Sequence, residues 1–310
     1  LTVRCSAFCI MEPWWWASIA GLVEQRIVPD GIREIWATVL AERVLKKDKR
    51  DRYTKHSARR PVGKCGGPLA DFLRGDATRV SACMGRLLTL FGQYAVAVRS
   101  GGEAVSSAIQ IRLTADESAL SIFTDASNAY CMLDPTDELM ALDILKRFII
   151  ALPIDKIPTG TNKAELLWSC EVMTADLVFY RAHSGSVLTV VDGELRRFPI
   201  HGGEVQGGLW SMLRFTISTA MLVLKQLAED FPEVDRLCIA DDVTVQTSIT
   251  SVADMQRVIR WFVCYETAFA KMGGKSNYKK YKILQHPKYI GTELDVSNFL
   301  SDFPHDPITH

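Results

Sequence analysis

The sequence predicts an α+β fold in which an antiparallel sheet is backed by helices. Short β-prone runs carry the first part of that expectation: "ALSIFT" at 119–124 and the pair within "RLCIADDVTV" at 236–245. Longer stretches of helical spacing lie between them. The order is strand, helices, hairpin, helix, strands, so the strand–helix–strand alternation of a doubly wound sheet is missing. At 310 residues, 48% of them hydrophobic, the chain can bury one large core or two closely packed ones.

Taken along the chain, residues 18–46 mix apolar and charged positions in a way that predicts helices broken near Pro29-Asp30-Gly31. The basic run 46–64 holds "ARRPVGKCGG" at its end, where Pro61 and the glycines predict a loop or hairpin. In "GEAVSSAIQIRLTA" (102–115) Val105, Ala108, Ile109 and Leu113 fall at helical spacing, with Glu103 in the first turn. Residues 119–124 alternate as a strand running into the turn-prone "DASN". Helices are expected at 137–150 and 163–182, and a short hairpin at 186–200 around Asp192-Gly193. After "HGGEVQGG" a long apolar helix is expected at 209–228, then a hairpin at 236–247 and an amphipathic helix at 253–272. A lysine-rich loop and two short strands near 281–284 and 288–292 close the pattern.

The formal net charge is zero, but it hides local asymmetry. Between Arg43 and Lys64 there are ten lysines or arginines against Asp48 and Asp51, and between Lys271 and Lys288 six lysines and no acid. Such runs are often solvated surface; two of them beside paired carboxylates point to a polyanionic partner. The eight cysteines include no C-x-x-C pair, which argues against a zinc ribbon or disulfide framework and for reduced intracellular thiols. "WWWASIAGLV" (14–23) is far short of a membrane span and lacks the flanks of a signal peptide, so it is expected to pack on the core. The chain begins at Leu1, which suggests a segment of something longer.

Asp241 and Asp242 sit side by side at the tip of the 236–247 hairpin, where neither has packing value. One adjacent pair is close to chance. A third acid, Asp125, ends the 119–124 strand, although a turn or cap role would also account for it. Three carboxylates converging at strand ends repel one another unless a divalent cation lies between them. Oxygen-only ligands suit magnesium, and two such ions can clamp the attacking and leaving oxygens of a phosphoryl displacement. Other motifs fail. "GGKS" (273–276) would need glycine at Phe269 to be a phosphate loop; "HGGE" (201–204) has no G-x-S-x-G partner; and the six histidines show no ligand spacing.

"FTDASNAY", "GGEVQGG", "IADD", "GGKSNYKK" and "YIGTEL" occur in the order of the conserved blocks of reverse transcriptases. The chain resembles those of non-LTR retrotransposons over roughly residues 30–292. The resemblance implies a right-hand fingers and palm, with the palm sheet antiparallel; the eighteen residues after Thr292 are too few for a helical thumb, so the thumb is expected to be absent. By this likeness 1–29 would be an N-terminal flank, 30–118 fingers, 119–292 the palm carrying the carboxylates, and 293–310 a short tail. Asp125, Asp241 and Asp242 would be the metal-binding and catalytic acids. Tyr130, five residues after the first Asp, would be the aromatic gate that rejects a 2′-OH, with Ala126 in the same nucleotide site. Gln206 and Gly207 match the "QG" block that supports nucleotide and template. Lys280, in G-x-x-x-N-x-x-K with Gly273 and Asn277, would be the proposed acid for leaving pyrophosphate. Ile290 and Gly291 match the core of the primer grip. "RRPVGKCGGPLADFLRG" (59–75) resembles the fingers block and suggests Arg60 as a triphosphate contact, with Lys46 and Lys47 nearby in sequence. Residues 93–109 resemble the segment placed just before the first Asp.

The sequence departs from the family where "QGDPLSP" reads "QGGLWSML", and where Ile239 replaces the usual aromatic residue before "ADD". The activity implied is RNA-directed DNA polymerisation: extension of a DNA primer 3′-OH on an RNA template with dNTPs and two Mg²⁺ ions, or Mn²⁺ in their place. An inactive remnant that only binds nucleic acid is the alternative, and a cyclase-like two-metal enzyme a third. No membrane partner is expected. An intracellular location is expected, nuclear for a eukaryotic retroelement.

Overall fold

The computed structural model describes residues 38–45, 59–64, 68–127, 129–178, 186–191, 194–199, 203, 210–286 and 288. The chain divides into two compact units, one of residues 1–76 and 175–201, the other of residues 77–174 and 202–310.

The first unit carries a four-stranded sheet of β1 (Thr38–Leu45), β2 (Arg59–Lys64), β4 (Ser186–Val191) and β5 (Glu194–Pro199), in the order β2-β1-β4-β5. β1 pairs antiparallel with β2 and parallel with β4, while β4 and β5 form the expected hairpin. A strand at 38–45 corrects the expectation of helix there. "TVLAERVL" carries β-branched Thr38, Val39 and Val44, and it is paired on both edges, so sheet pairing overrides the weak helical spacing. Pro61 is tolerated in β2 because β2 is an edge strand.

The second unit is built on the antiparallel sheet β6-β7-β3-β8, with β3 at Ala119–Phe123, β6 at Asp235–Ile239, β7 at Asp242–Ser248 and β8 at Lys282–Gln285. The strand expected near 288–292 lies outside the described residues apart from Lys288, which is in a turn. One face of the sheet, through Leu120, Ile122, Val243, Val245 and Cys238, packs on a helical layer. That layer is α5 (Ser211–Thr219), a π turn at Ala220–Leu224, α6 (Lys225–Asp230) and α7 (Val252–Lys271). α7 buries Val258, Trp261, Phe262, Tyr265 and Phe269, a stripe at i, i+3, i+4, i+7 and i+11. Its start is fixed by Ser251, whose hydroxyl accepts the Asp254 amide. The opposite face meets α2 (Gly101–Ala115) through Val105, Ile109 and Leu113, against Phe123, Leu237 and Ile239.

α1 (Pro68–Leu88), which enters this unit at Ala77, was not legible as a helix behind "CGGP". α3 (Pro135–Ala151) covers the helix expected at 137–150 and extends past both of its ends, while α4 (Lys163–Asp176) lies within the stretch expected at 163–182. No described helix is long and apolar enough to cross a membrane. Cys83, Cys170, Cys238 and Cys264 are free.

Candidate active site

The β6–β7 hairpin turns on two residues, Ala240 and Asp241, with Ile239 paired to Asp242. Ala240 has φ +56°, a left-handed conformation in a two-residue turn where glycine, asparagine or aspartate is usual. For an alanine that costs on the order of 1–2 kcal/mol, so something outside the hairpin must hold it. Gln93 does. Its side-chain oxygen accepts the Ala240 amide at 3.0 Å and its side-chain nitrogen donates to the Ala240 carbonyl at 3.1 Å. Gln93 is itself positioned by backbone pairing beside β6: the Cys238 amide donates to the Gly92 carbonyl at 2.7 Å, and the Tyr94 amide donates to the Cys238 carbonyl at 2.9 Å. Gly92, at φ +78°, allows this approach; a Cβ there would lie 2.2 Å from the Arg236 carbonyl oxygen.

β3 brings the third acid. Its register with β7 runs from Ala119 opposite Ser248 to Phe123 opposite Thr244. Two residues past the end of β3, Asp125 comes near enough to Asp242 for the two carboxylates to repel one another. Thr124 locks that extension: its amide and hydroxyl both donate to the Val243 carbonyl at 2.9 Å, and the hydroxyl accepts the Val243 amide at 3.2 Å.

Lys280 arrives from the other side. α7 ends in a Schellman turn, with the Gly274 amide donating to the Phe269 carbonyl, the Gly273 amide to that of Ala270, and Gly273 left-handed at φ +81°. The chain then runs back along the end of β3: Ala126 bridges Ser276, the Ser127 amide donates to the Lys275 carbonyl, and the Asn277 amide donates to the Asp125 carbonyl. Glu266 anchors this loop by accepting the Ser276 hydroxyl at 2.6 Å and the Tyr281 hydroxyl at 2.7 Å. As a result the Lys280 ammonium donates to both oxygens of Asp125 at 2.9 Å.

These groups act on one another. The Asp242 carboxyl is pushed up to about 6, first by desolvation, then by repulsion from Asp241 and Asp125, with Lys280 opposing. Asp242 as a whole residue remains in contact with solvent, so its carboxyl is crowded rather than sealed off. Tyr130 is half-buried with its ring 5.0 Å from that of Phe215. Its phenol is pushed up to about 12 by burial and by the charges of Asp241 and Asp242. The aromatic ring therefore lies within the field of the hairpin carboxylates.

The donor set is chemically apt for a hard divalent cation, since all three acids offer oxygen only. Among the described residues, no three or more metal-ligating side chains close on one point, and both Asp125 oxygens are turned to Lys280.

The structure thus gathers Asp125, Asp241, Asp242, Lys280, Tyr130 and Ala126 in one region. Arg60 lies on β2 of the first unit, opposite Val44. Gln206, Gly207, Ile290 and Gly291 lie outside the described residues, as do Lys46 and Lys47. Gln93, Thr124 and Glu266 are contributors that sequence reasoning missed. For Gln93 one signal existed: a lone amide inside the apolar run "LFGQYAVAV" (90–98).

No protein-family model matches the chain, and no curated protein matches it in sequence. Its fold does have solved counterparts. A telomerase from Candida tropicalis, in complex with a TWJ fragment of telomeric RNA, is similar at a TM-score of 0.52 and 14% identity, over 80% of this chain and 41% of that one. The corresponding Candida albicans telomerase complex is similar at 0.51 and 11% identity, over 88% and 48%. The RNA-dependent RNA polymerase of a human picobirnavirus aligns at a TM-score of 0.43 and 17% identity, over 80% of this chain and 42% of that one. At these identities the likeness is one of fold, and the mixed helix and antiparallel-sheet architecture is that of a polymerase palm with fingers. The chain spans less than half the length of either telomerase chain.

Proposed function

We propose that this chain is the fingers-and-palm part of an RNA-directed DNA polymerase of retroelement type. It would extend a DNA primer on an RNA template with dNTPs. The observation that carries this reading is the strand register that brings Asp125 beside the Asp241–Asp242 turn, with Lys280 bonded to Asp125.

Asp125, Asp241 and Asp242 would hold Mg²⁺, or Mn²⁺ in its place. When bound, the ions would supply charge neutralisation at the attacking and leaving oxygens. Tyr130 would present its ring to the incoming sugar and exclude a 2′-OH, with Ala126 lining the same site. Lys280 would hold a proton at its ammonium for the departing pyrophosphate. Arg60 would contact the triphosphate, its forked guanidinium matching phosphate oxygens. Gln206 and Gly207 would support nucleotide and template, and Ile290 and Gly291 the primer end. The basic segments 43–64 and 271–288 would follow the nucleic-acid backbone.

A second reading is a nucleic-acid-binding module without catalysis. The ion pair that occupies both Asp125 oxygens favours it, as does the altered "QGGLWSML" block. Primer extension separates the two: an RNA template, an annealed DNA primer, dNTPs and Mg²⁺, with the chain and an Asp241→Asn, Asp242→Asn double variant. Extension by the parent alone supports the polymerase. Duplex binding without extension, in either Mg²⁺ or Mn²⁺, supports the binding module.

A further inference from the structure

We propose that Gln93 is a positioning residue for the metal-binding turn, clamping the Ala240 peptide so that Asp241 is presented toward the cation. The inference rests on the polymerase reading for its purpose, but its geometry stands alone.

Gln93 is almost wholly buried, with 1% of its surface exposed, and both ends of its side-chain amide are used. The oxygen accepts the amides of Ala240 and Ala95, at 3.0 and 3.1 Å, and the nitrogen donates to the Ala240 carbonyl. Both polar groups of a single turn residue are thus satisfied by one side chain 147 positions away in sequence. That residue is the one in the hairpin with a left-handed backbone and no glycine to make it easy. Asp241 follows directly, so the direction in which its carboxylate leaves the turn depends on the Ala240 peptide plane.

A buried glutamine with a purely structural role would stabilise the protein and nothing more. The present arrangement predicts something narrower. Removing the clamp lets Ala240 relax toward an ordinary φ, rotating Asp241 away from Asp125 and Asp242. Placing glycine at 240 makes the left-handed conformation available again without the clamp. Compensation between Gln93 and Ala240 is the signature of the proposed role.

The test uses Gln93→Met, which preserves length and removes both polar groups, and the Gln93→Met, Ala240→Gly pair. Terbium binding to the folded protein is followed by its luminescence, with Asp241→Asn, Asp242→Asn as the control for the site. Primer extension is followed as a function of Mg²⁺. Gln93→Met should bind terbium about 10-fold more weakly at a temperature where it is fully folded. Its extension rate should fall by about 100-fold, as expected for catalytic groups displaced by around an ångström, with the KM for duplex unchanged. The pair should recover most of both losses. Parent-like terbium affinity in Gln93→Met overturns the proposal, and so does failure of Ala240→Gly to restore it. Should Gln93→Met fail to fold, the pair decides by the same two readouts. A parent that binds terbium at these aspartates yet extends no primer overturns the polymerase reading while the clamp is still decided by terbium. A parent that binds no terbium overturns both.

Discussion

Thr124 and Val243 exchange three hydrogen bonds where β3 leaves the sheet: the Thr124 amide and hydroxyl donate to the Val243 carbonyl, and the Val243 amide donates back to the hydroxyl. Each residue stands next to a carboxylate, Asp125 just past the end of β3 and Asp242 at the start of β7. The pair fixes how far apart those acids are before any cation is bound. Thr124→Val keeps the shape and leaves the buried Val243 amide without its partner. It should lower stability by about 1–2 kcal/mol in urea unfolding. A loss within experimental error would mean that the hydroxyl is not holding the strand ends.

Lys280 gives a prediction with opposite signs in two assays. Its ammonium occupies both Asp125 oxygens, so it competes with any cation for them. Lys280→Met should bind terbium more tightly than the parent. On the proposed function the same substitution would remove the proton donor for pyrophosphate, so extension should slow by about 100-fold or more. Weaker terbium binding by the variant would place Lys280 in a supporting role at the site.

Asp242 sets a pH dependence. Its carboxyl is pushed up to about 6, chiefly by desolvation, so the folded protein takes up a proton there more readily than the unfolded chain does. Its protonated form therefore favours folding at low pH, and that contribution is lost as pH rises from the unfolded value of about 3.9 through about 6. Without divalent ions, Asp242→Asn should gain stability relative to the parent over that interval. On the proposed function extension would need the ionised carboxylate, so it should fall as pH drops through about 6, with a lower midpoint as Mg²⁺ is raised. A Mg²⁺-independent midpoint would separate Asp242 from the metal.

The hairpin, the β3 strand, α2 and α7 were legible because their apolar residues recur at the right period and their ends carry turn chemistry. Ser251 at the start of α7 and Gly273 at its end are local signals. The strand at 38–45 was not legible, because "TVLAERVL" reads as either period until β2 and β4 pair with it. Nor was the π turn at Ala220–Leu224, which interrupts what the sequence presents as one apolar helix. At the site, Asp125, Asp241 and Asp242 could be nominated because three acids at strand ends repel one another unless a cation lies between them, although turn chemistry alone would also account for Asp125. Gln93 offered only the signal of a lone amide in an apolar run and Glu266 none, since each acts on a partner whose nearness is a product of the fold.

Arg43–Lys64 and Lys271–Lys288 carry the excess of positive charge. If both follow a nucleic-acid backbone, duplex affinity should fall linearly in log–log form with salt, at about 0.7–0.9 per phosphate contacted. Replacing Lys275 and Lys279 by Gln should reduce that slope by up to about 2 and weaken binding alike across template sequences. An unchanged slope would leave the 271–288 segment as ordinary solvated surface.

The most direct measurement is primer extension on an RNA template, comparing the parent with Asp241→Asn, Asp242→Asn in Mg²⁺ and in Mn²⁺. Metal-dependent extension by the parent and none by the variant is the expected result, with both binding the duplex. Extension by both, or by neither while the duplex is bound, would contradict a polymerase centred on these carboxylates.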